Sequence, residues 1–106
     1  MIVAFSVAPS GGPSAQEDGS VHEAVAAAVR VVRDSGLPNR TSSMFTEVEG
    51  EWDEVMEVVG RATAEAGRYG SRVSLVLKAD IRPGRTGELD GKVQRMESAV
   101  DRLDSR

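Results

Sequence analysis

The chain has 106 residues, a length that suits one domain burying roughly 65% of its unfolded surface around a two-layer core. Hydrophobic residues make up 40% and charged ones 28%, which is a globular rather than a disordered balance. The net charge of −4 argues against a general nucleic-acid binder, and the lack of cysteine removes disulfides, thiolate nucleophiles and Cys-based metal sites.

No apolar run approaches the ~20 residues of a membrane span, and the N-terminus carries no basic leader, so the expectation is a soluble, cytoplasmic protein with no membrane partner. Residues 1–8 predict a first strand. Read with a period of two, Val3, Phe5 and Val7 point one way and Ile2, Ala4 and Ser6 the other. Residues 9–19 (PSGGPSAQEDG) break both helical and strand periods and predict a loop. Ser20 then opens a helix, with Glu23 completing a capping-box pattern and Val21, Ala24, Val25, Ala28 and Val32 forming the buried stripe. Gly36 stops it, and Leu37-Pro38 prevents continuation.

Residues 39–50 predict two short strands around a tight turn near residues 43–45, with Val48 inward. A second helix starts at residues 51–53, where acids suit the positive end of the dipole. Its stripe is Val55, Met56, Val59, Ala62, Ala66 and Tyr69, with Gly70 as the cap. Gly60 costs it up to ~1 kcal/mol against alanine, for which close packing would compensate. Residues 71–80 form the last strand. One of its faces is Val73, Leu75, Leu77 and Ala79, the other Ser74, Val76, Lys78 and Asp80. The order β-α-β-β-α-β predicts an α+β, ferredoxin-like domain over residues 1–88: a four-stranded antiparallel sheet, two helices on one face, the other face bare.

Residues 82–87 (RPGRTG) are a basic loop. A C-terminal helix follows, whose apolar residues Leu89, Val93, Met96, Val100 and Leu103 keep a strict 4-3-4-3 heptad spacing. So narrow a stripe reads as a helix–helix seam, making residues 89–106 an oligomerisation appendage. Packing on its own subunit stands beside that reading.

Enzymatic constellations are missing, so no catalytic residue and no metal ligand is assigned. His22 is the only histidine and has no second ligand at a metal-binding spacing. Ser10-Gly11-Gly12 matches neither the dinucleotide nor the phosphate-loop pattern. The free sheet face is better stocked. Ser6, Glu47, Glu49, Lys78 and Asp80 project from it, Thr46 lies at the turn beside them, and Met44, Phe45 and Trp52 offer an apolar wall. Hydroxyls, carboxylates and aromatics in a shallow sheet suit a small polar or cationic heterocycle. Spacing alone favours a plainer reading, a solvated face with Lys78–Glu47 ion pairs worth under ~1 kcal/mol each. An RNA-recognition role needs aromatics where Ile2, Ala4 and Ser6 stand, and a hydrolase would need Asp80 and Lys78 buried as acid and base.

Three stretches carry a resemblance: MIVAFSVAP at the start, TSSMFTEVEG in the middle, and LKADIR followed later by Lys92-Val93. Together, over about residues 1–95, they resemble the small thiamine-binding proteins related to YkoF, ferredoxin-like domains that associate as dimers and tetramers. The resemblance implies binding of thiamine, or its hydroxymethylpyrimidine half, as a ligand rather than a cofactor. The implied site residues are Ser6, Met44, Phe45, Thr46, Glu49, Lys78, Asp80 and Arg82. Phe45 departs from the family, which usually has glycine there. Arg82 and Arg85 would receive a phosphate if the ligand carries one. The expected function is non-enzymatic binding near subunit contacts of a homodimer or homotetramer. The alternative is an interaction domain whose sheet face is filled by subunit association and holds no small molecule.

Overall fold

The computed structural model describes residues 1–11 and 22–104. In chain order the elements are β1 (Ile2–Ser10), α1 (His22–Asp34), β2 (Asn39–Thr41), β3 (Thr46–Glu49), α2 (Trp52–Gly67), β4 (Arg72–Asp80) and α3 (Glu88–Asp104). The four strands lie in the order β2-β3-β1-β4, and every neighbouring pair is antiparallel. This is the ferredoxin-like arrangement that the sequence predicts. The proposed Ser20 cap, Val21, and most of the loop from residue 9 to residue 19 lie outside the described residues.

The alternation in β1 decides which way the sheet faces. Val3, Phe5 and Val7 are buried, as is Val48 of β3, the partner of Val3 across the ladder. Ala24, Ala28 and Val32 of α1 close over them, with Val55, Val58, Val59, Ala62 and Ala66 of α2. Fully buried valines stabilise by about 1.5–3 kcal/mol each, and the alanines let helices and sheet approach closely. Two details differ from expectation. Val58 takes the core position assigned to Met56, and Val25 is only half-buried.

β1 runs two residues beyond its predicted end, through Pro9 and Ser10. Its ladder to β3 stops at Phe5, so the remainder has only β4 beside it. A proline is tolerated at such an edge position. The hairpin between β2 and β3 turns on Ser42, whose backbone N–H donates to the Phe45 carbonyl at 2.9 Å. The Ser42 hydroxyl oxygen also accepts from the backbone N–H groups of Met44 and Phe45. At the start of α2, the Glu51 N–H donates to the Glu54 carboxylate at 3.2 Å, a side-chain cap for an otherwise orphaned donor.

Glycines separate by cause. Gly36, with φ of 78°, ends α1 in the left-handed region as expected. Gly70 does not cap α2, which ends at Gly67 with Arg68 as its cap. Its role is close approach, since a Cβ there would stand 2.7 Å from the Ser10 carbonyl oxygen. Gly60 has no packing partner: a Cβ would meet nothing within 4 Å. The expected compensation is absent, so Gly60→Ala should stabilise the domain by up to ~1 kcal/mol. A urea melt checks this, and a midpoint that falls would contradict it.

Candidate functional site

Cross-strand partners share a face, so register places the polar residues directly. Lys78 and Glu47 both pair with Ala4, while Asp80 and Glu49 both pair with Ile2. All four therefore project from the side opposite the helix layer, as does Ser6 opposite Val76. Arg40 joins the same row through its pairing with Glu47. Small Ala4 and half-buried Ile2 form a low floor between charged walls.

This face is not wholly bare, because α3 begins on it. After β4 the chain turns at residues 82–85, where the Arg85 N–H donates to the Arg82 carbonyl at 3.1 Å. Pro83 and Gly84, the latter at φ of 77°, give the type II pattern. The chain then delivers the N-terminus of α3 onto Glu49. Both carboxylate oxygens of Glu49 accept backbone donors, from Glu88 at 2.7 Å and from Leu89 at 3.1 Å. Glu49 is 5% exposed, and Glu88 and Leu89 are similarly enclosed. A helix N-terminus carries unpaired N–H groups and partial positive charge, so a carboxylate supplied by a distant strand suits both.

Ion pairs extend the attachment. Lys92 donates to Asp80 at 2.6 Å, Arg40 reaches Asp90, and Arg95 reaches Glu88. The hydrogen bond from Lys92, reinforced by its charge, holds the Asp80 carboxyl below the usual carboxylate range. The hydrogen bond from Arg95 does the same for Glu88 against the opposing effect of burial. A depressed native pKa contributes stability that is present above the unfolded value, about 4, and is lost as pH falls through the native value. The attachment of α3 should therefore hold from pH 7 to pH 5 and loosen below pH ~4. Amide NMR signals of Leu89 and Lys92 that stay unmoved as the pH falls from about 5 to below about 3 would refute this.

Between sheet and helix lies a cavity of about 210 Å³, lined by Ile2, Ala4, Glu47, Lys78, Asp80, Glu88, Leu89, Lys92 and Val93. Its ionic groups differ in commitment. Asp80 is engaged by Lys92 and Glu88 by Arg95. Glu47 and Lys78, which flank Ala4, make no ion pair with each other or with other described residues. They are the charges available to a guest. Sequence reasoning placed Glu47 on the face without assigning it to the site, and it missed Lys92 and Leu89, which a helix folded back onto the sheet supplies.

The remaining expected site residues gather elsewhere. Thr46 pairs with Phe5, so it points to the helix side and is buried there. With Met44, Phe45, Val25 and Val29 it lines a second cavity of about 240 Å³ between α1, β1 and the hairpin turn, which Ser6 also borders. The residues expected on one face thus divide between opposite sides of the sheet. Glu49 is occupied in capping α3. Arg82 is exposed in the turn, and Trp52, at the start of α2, lines neither cavity. Beyond Leu89 the heptad stripe of α3 stays open, with Val93, Met96, Val100 and Leu103 from 40% to 62% exposed. Packing on its own subunit therefore describes only the first turns. Among the described residues no helix is long and apolar enough to cross a membrane, and no group of three or more His, Asp or Glu side chains could hold a metal ion.

The arrangement is a ferredoxin-like sheet with a charged hollow beneath a folded-back helix. Residues 3–97 match the thiamine-binding protein family, and the chain belongs to it. It is 49% identical over 98 residues to the UPF0045 protein Mb1933 of Mycobacterium bovis, covering 92% of this chain and 91% of that one. The UPF0045 protein sll0230 of Synechocystis is 30% identical over 83 residues, covering 77% and 69%. Among solved structures, the hypothetical protein MJ1052 of Methanocaldococcus jannascii superposes with a TM-score of 0.78 at 25% identity, over 91% and 94% of the chains. The Thermotoga maritima protein TM0486, suggested to act in thiamine biosynthesis or salvage, gives 0.72 at 29% identity over 90% and 96%.

Proposed function

We propose that the chain binds thiamine through its hydroxymethylpyrimidine half, without catalysis, as a cytoplasmic homo-oligomer. The observation that carries this reading is the pair Glu47 and Lys78, uncommitted charges of opposite sign on either side of Ala4, within a family of thiamine-binding proteins. An aminopyrimidine edge alternates ring-nitrogen acceptors with an exocyclic amine donor. The Glu47 carboxylate accepts from the amine while the Lys78 ammonium donates to a ring nitrogen. Ile2 and Ala4 supply the apolar floor for the ring face.

Size decides which part of the vitamin enters. Pockets for drug-sized ligands run from roughly 300 to 1,000 Å³. The hollow here, about 210 Å³, suits one ring. In this reading the pyrimidine is enclosed and the cationic thiazolium stays outside.

Isothermal calorimetry with thiamine and with free hydroxymethylpyrimidine tests the proposal. Both should bind, and Glu47→Gln and Lys78→Met should each weaken both by about tenfold, the loss of one charge-assisted hydrogen bond. Heat from neither ligand at millimolar concentration would refute it and favour a sheet face serving protein association. Binding that these substitutions leave intact but Thr46→Val abolishes would move the site to the cavity by the hairpin.

A further inference from the structure

We propose that Arg82, Arg85 and Arg95, gathered around the start of α3, form an anion subsite at the mouth of the hollow, and that the ligand they favour is a phosphate monoester of the vitamin or of its pyrimidine half. This subsite rests on the reading that the hollow takes the pyrimidine, and it decides which chemical form is held. Residues 82–95 carry four cations, Arg82, Arg85, Lys92 and Arg95, against two acids, Glu88 and Asp90. The stretch is positive in a chain whose net charge is −4.

The turn and the helix bring the guanidinium groups to one place. Arg82 and Arg85 are the first and last residues of the turn after β4. The bond from the Arg85 N–H to the Arg82 carbonyl, at 3.1 Å, closes that turn and keeps their Cα atoms within about 7 Å. Arg95 stands two turns along α3 from Glu88, on the same helix face. Arg85 and Arg95 both reach the Glu88 carboxylate, Arg85 at 3.7 Å from one oxygen and Arg95 at the other. The hydrogen bond from Arg95 holds the Glu88 carboxyl below its usual range against burial, and the fields of Arg95, Arg82 and Arg85 act in the same direction. Glu88 itself lines the hollow, so the cluster stands one carboxylate away from a guest.

These cations hold donors in reserve. A guanidinium offers about five N–H donors and a carboxylate about four acceptor sites. Glu88 takes a hydrogen bond from Arg95, whereas Arg85 meets it only at ion-pair distance. Arg82 has no ion pair among the described residues. The Glu88 side chain is 10% exposed, while those of Arg85 and Arg95 are half-exposed and Arg82 is exposed. The carboxylate is thus enclosed and the donors stay open to solvent. A phosphate monoester brings up to two negative charges and three acceptor oxygens, which guanidinium groups match with paired hydrogen bonds. A ligand carboxylate would bring only the single charge that Glu88 already supplies.

Calorimetry on the intact chain compares each ester with its parent alcohol: hydroxymethylpyrimidine phosphate with hydroxymethylpyrimidine, and thiamine monophosphate with thiamine. At least one ester should bind about tenfold more tightly than its parent, the gain from charge-assisted hydrogen bonds. Which ester gains tells whether the phosphate sits beside the pyrimidine or beyond the thiazolium. The readout is the ratio within a pair, so a change that merely disturbs the hollow moves both members alike. In the double variant Arg82→Ala/Arg85→Ala the ratio should fall to about one. Both residues are exposed, so this variant should fold, as circular dichroism would verify. Glu88→Gln removes the internal competitor for the same donors and should raise the ratio. Parent alcohols that bind as tightly as their esters would overturn the subsite and leave the reading of the hollow standing. An ester preference that survives the double substitution, or that falls in Glu88→Gln, would also overturn the subsite. Heat from none of the four ligands would overturn both.

Discussion

Replacing Glu49 with alanine should release the start of α3 and cost about 3 kcal/mol. Its carboxylate is the acceptor for the N–H groups of both Glu88 and Leu89, in a place where water has little access. A buried donor left without a partner costs about 1–3 kcal/mol, and here two are left. The favourable charge at the helix end disappears as well. The loss should be regional. Amides of residues 88–93 should lose most of their hydrogen-exchange protection, while those of Val3 and Phe5 should keep theirs, because the core beneath the sheet does not include α3. Glu49→Gln, which keeps a carbonyl acceptor, should recover about half of the stability. Unchanged protection at Leu89 in Glu49→Ala would show that α3 is held by its ion pairs instead.

Gly70→Ala should destabilise the domain by about 2–3 kcal/mol, the upper range for forcing extra volume into a closed site. The added Cβ would lie 2.7 Å from the Ser10 carbonyl oxygen and 3.0 Å from both the Gly11 oxygen and the Ser10 nitrogen. All three are backbone atoms of the β1 end, so no side-chain rotation relieves the clash. Relief requires separating the segments that the hydrogen bond from Ser71 N–H to the Ser10 carbonyl, at 3.1 Å, holds together. For a chain of about 100 residues this corresponds to a melting temperature lower by roughly 10–20 °C. The denaturant midpoint should fall with an unchanged slope, since the surface exposed on unfolding stays the same. A midpoint within error of the natural chain would disprove the close approach.

Much of the fold was legible because alternation is a short-range signal. The parity of Val3, Phe5 and Val7 against Ile2, Ala4 and Ser6 follows from strand geometry alone, and β4 repeats it. The site was less legible. Thr46 and Glu47 are neighbours, yet they face opposite sides of the sheet, and which residue faces which way depends on the register with β1. Glu49 offered no local sign of its role, because its partners stand 39 and 40 residues later. Pro9 was misleading for a related reason: whether a strand accepts proline depends on whether a neighbour needs its N–H, a tertiary fact. Gly60 and Gly70 read alike in sequence, but one faces open space and the other abuts a backbone.

The two borders of the sheet are unequal, and that inequality limits growth. β2 has only three residues and carries Arg40 at its middle, drawn towards Asp90. So short and charged a margin is a poor template for an incoming chain. The brevity of β2 is thus a safeguard against amyloid-like stacking.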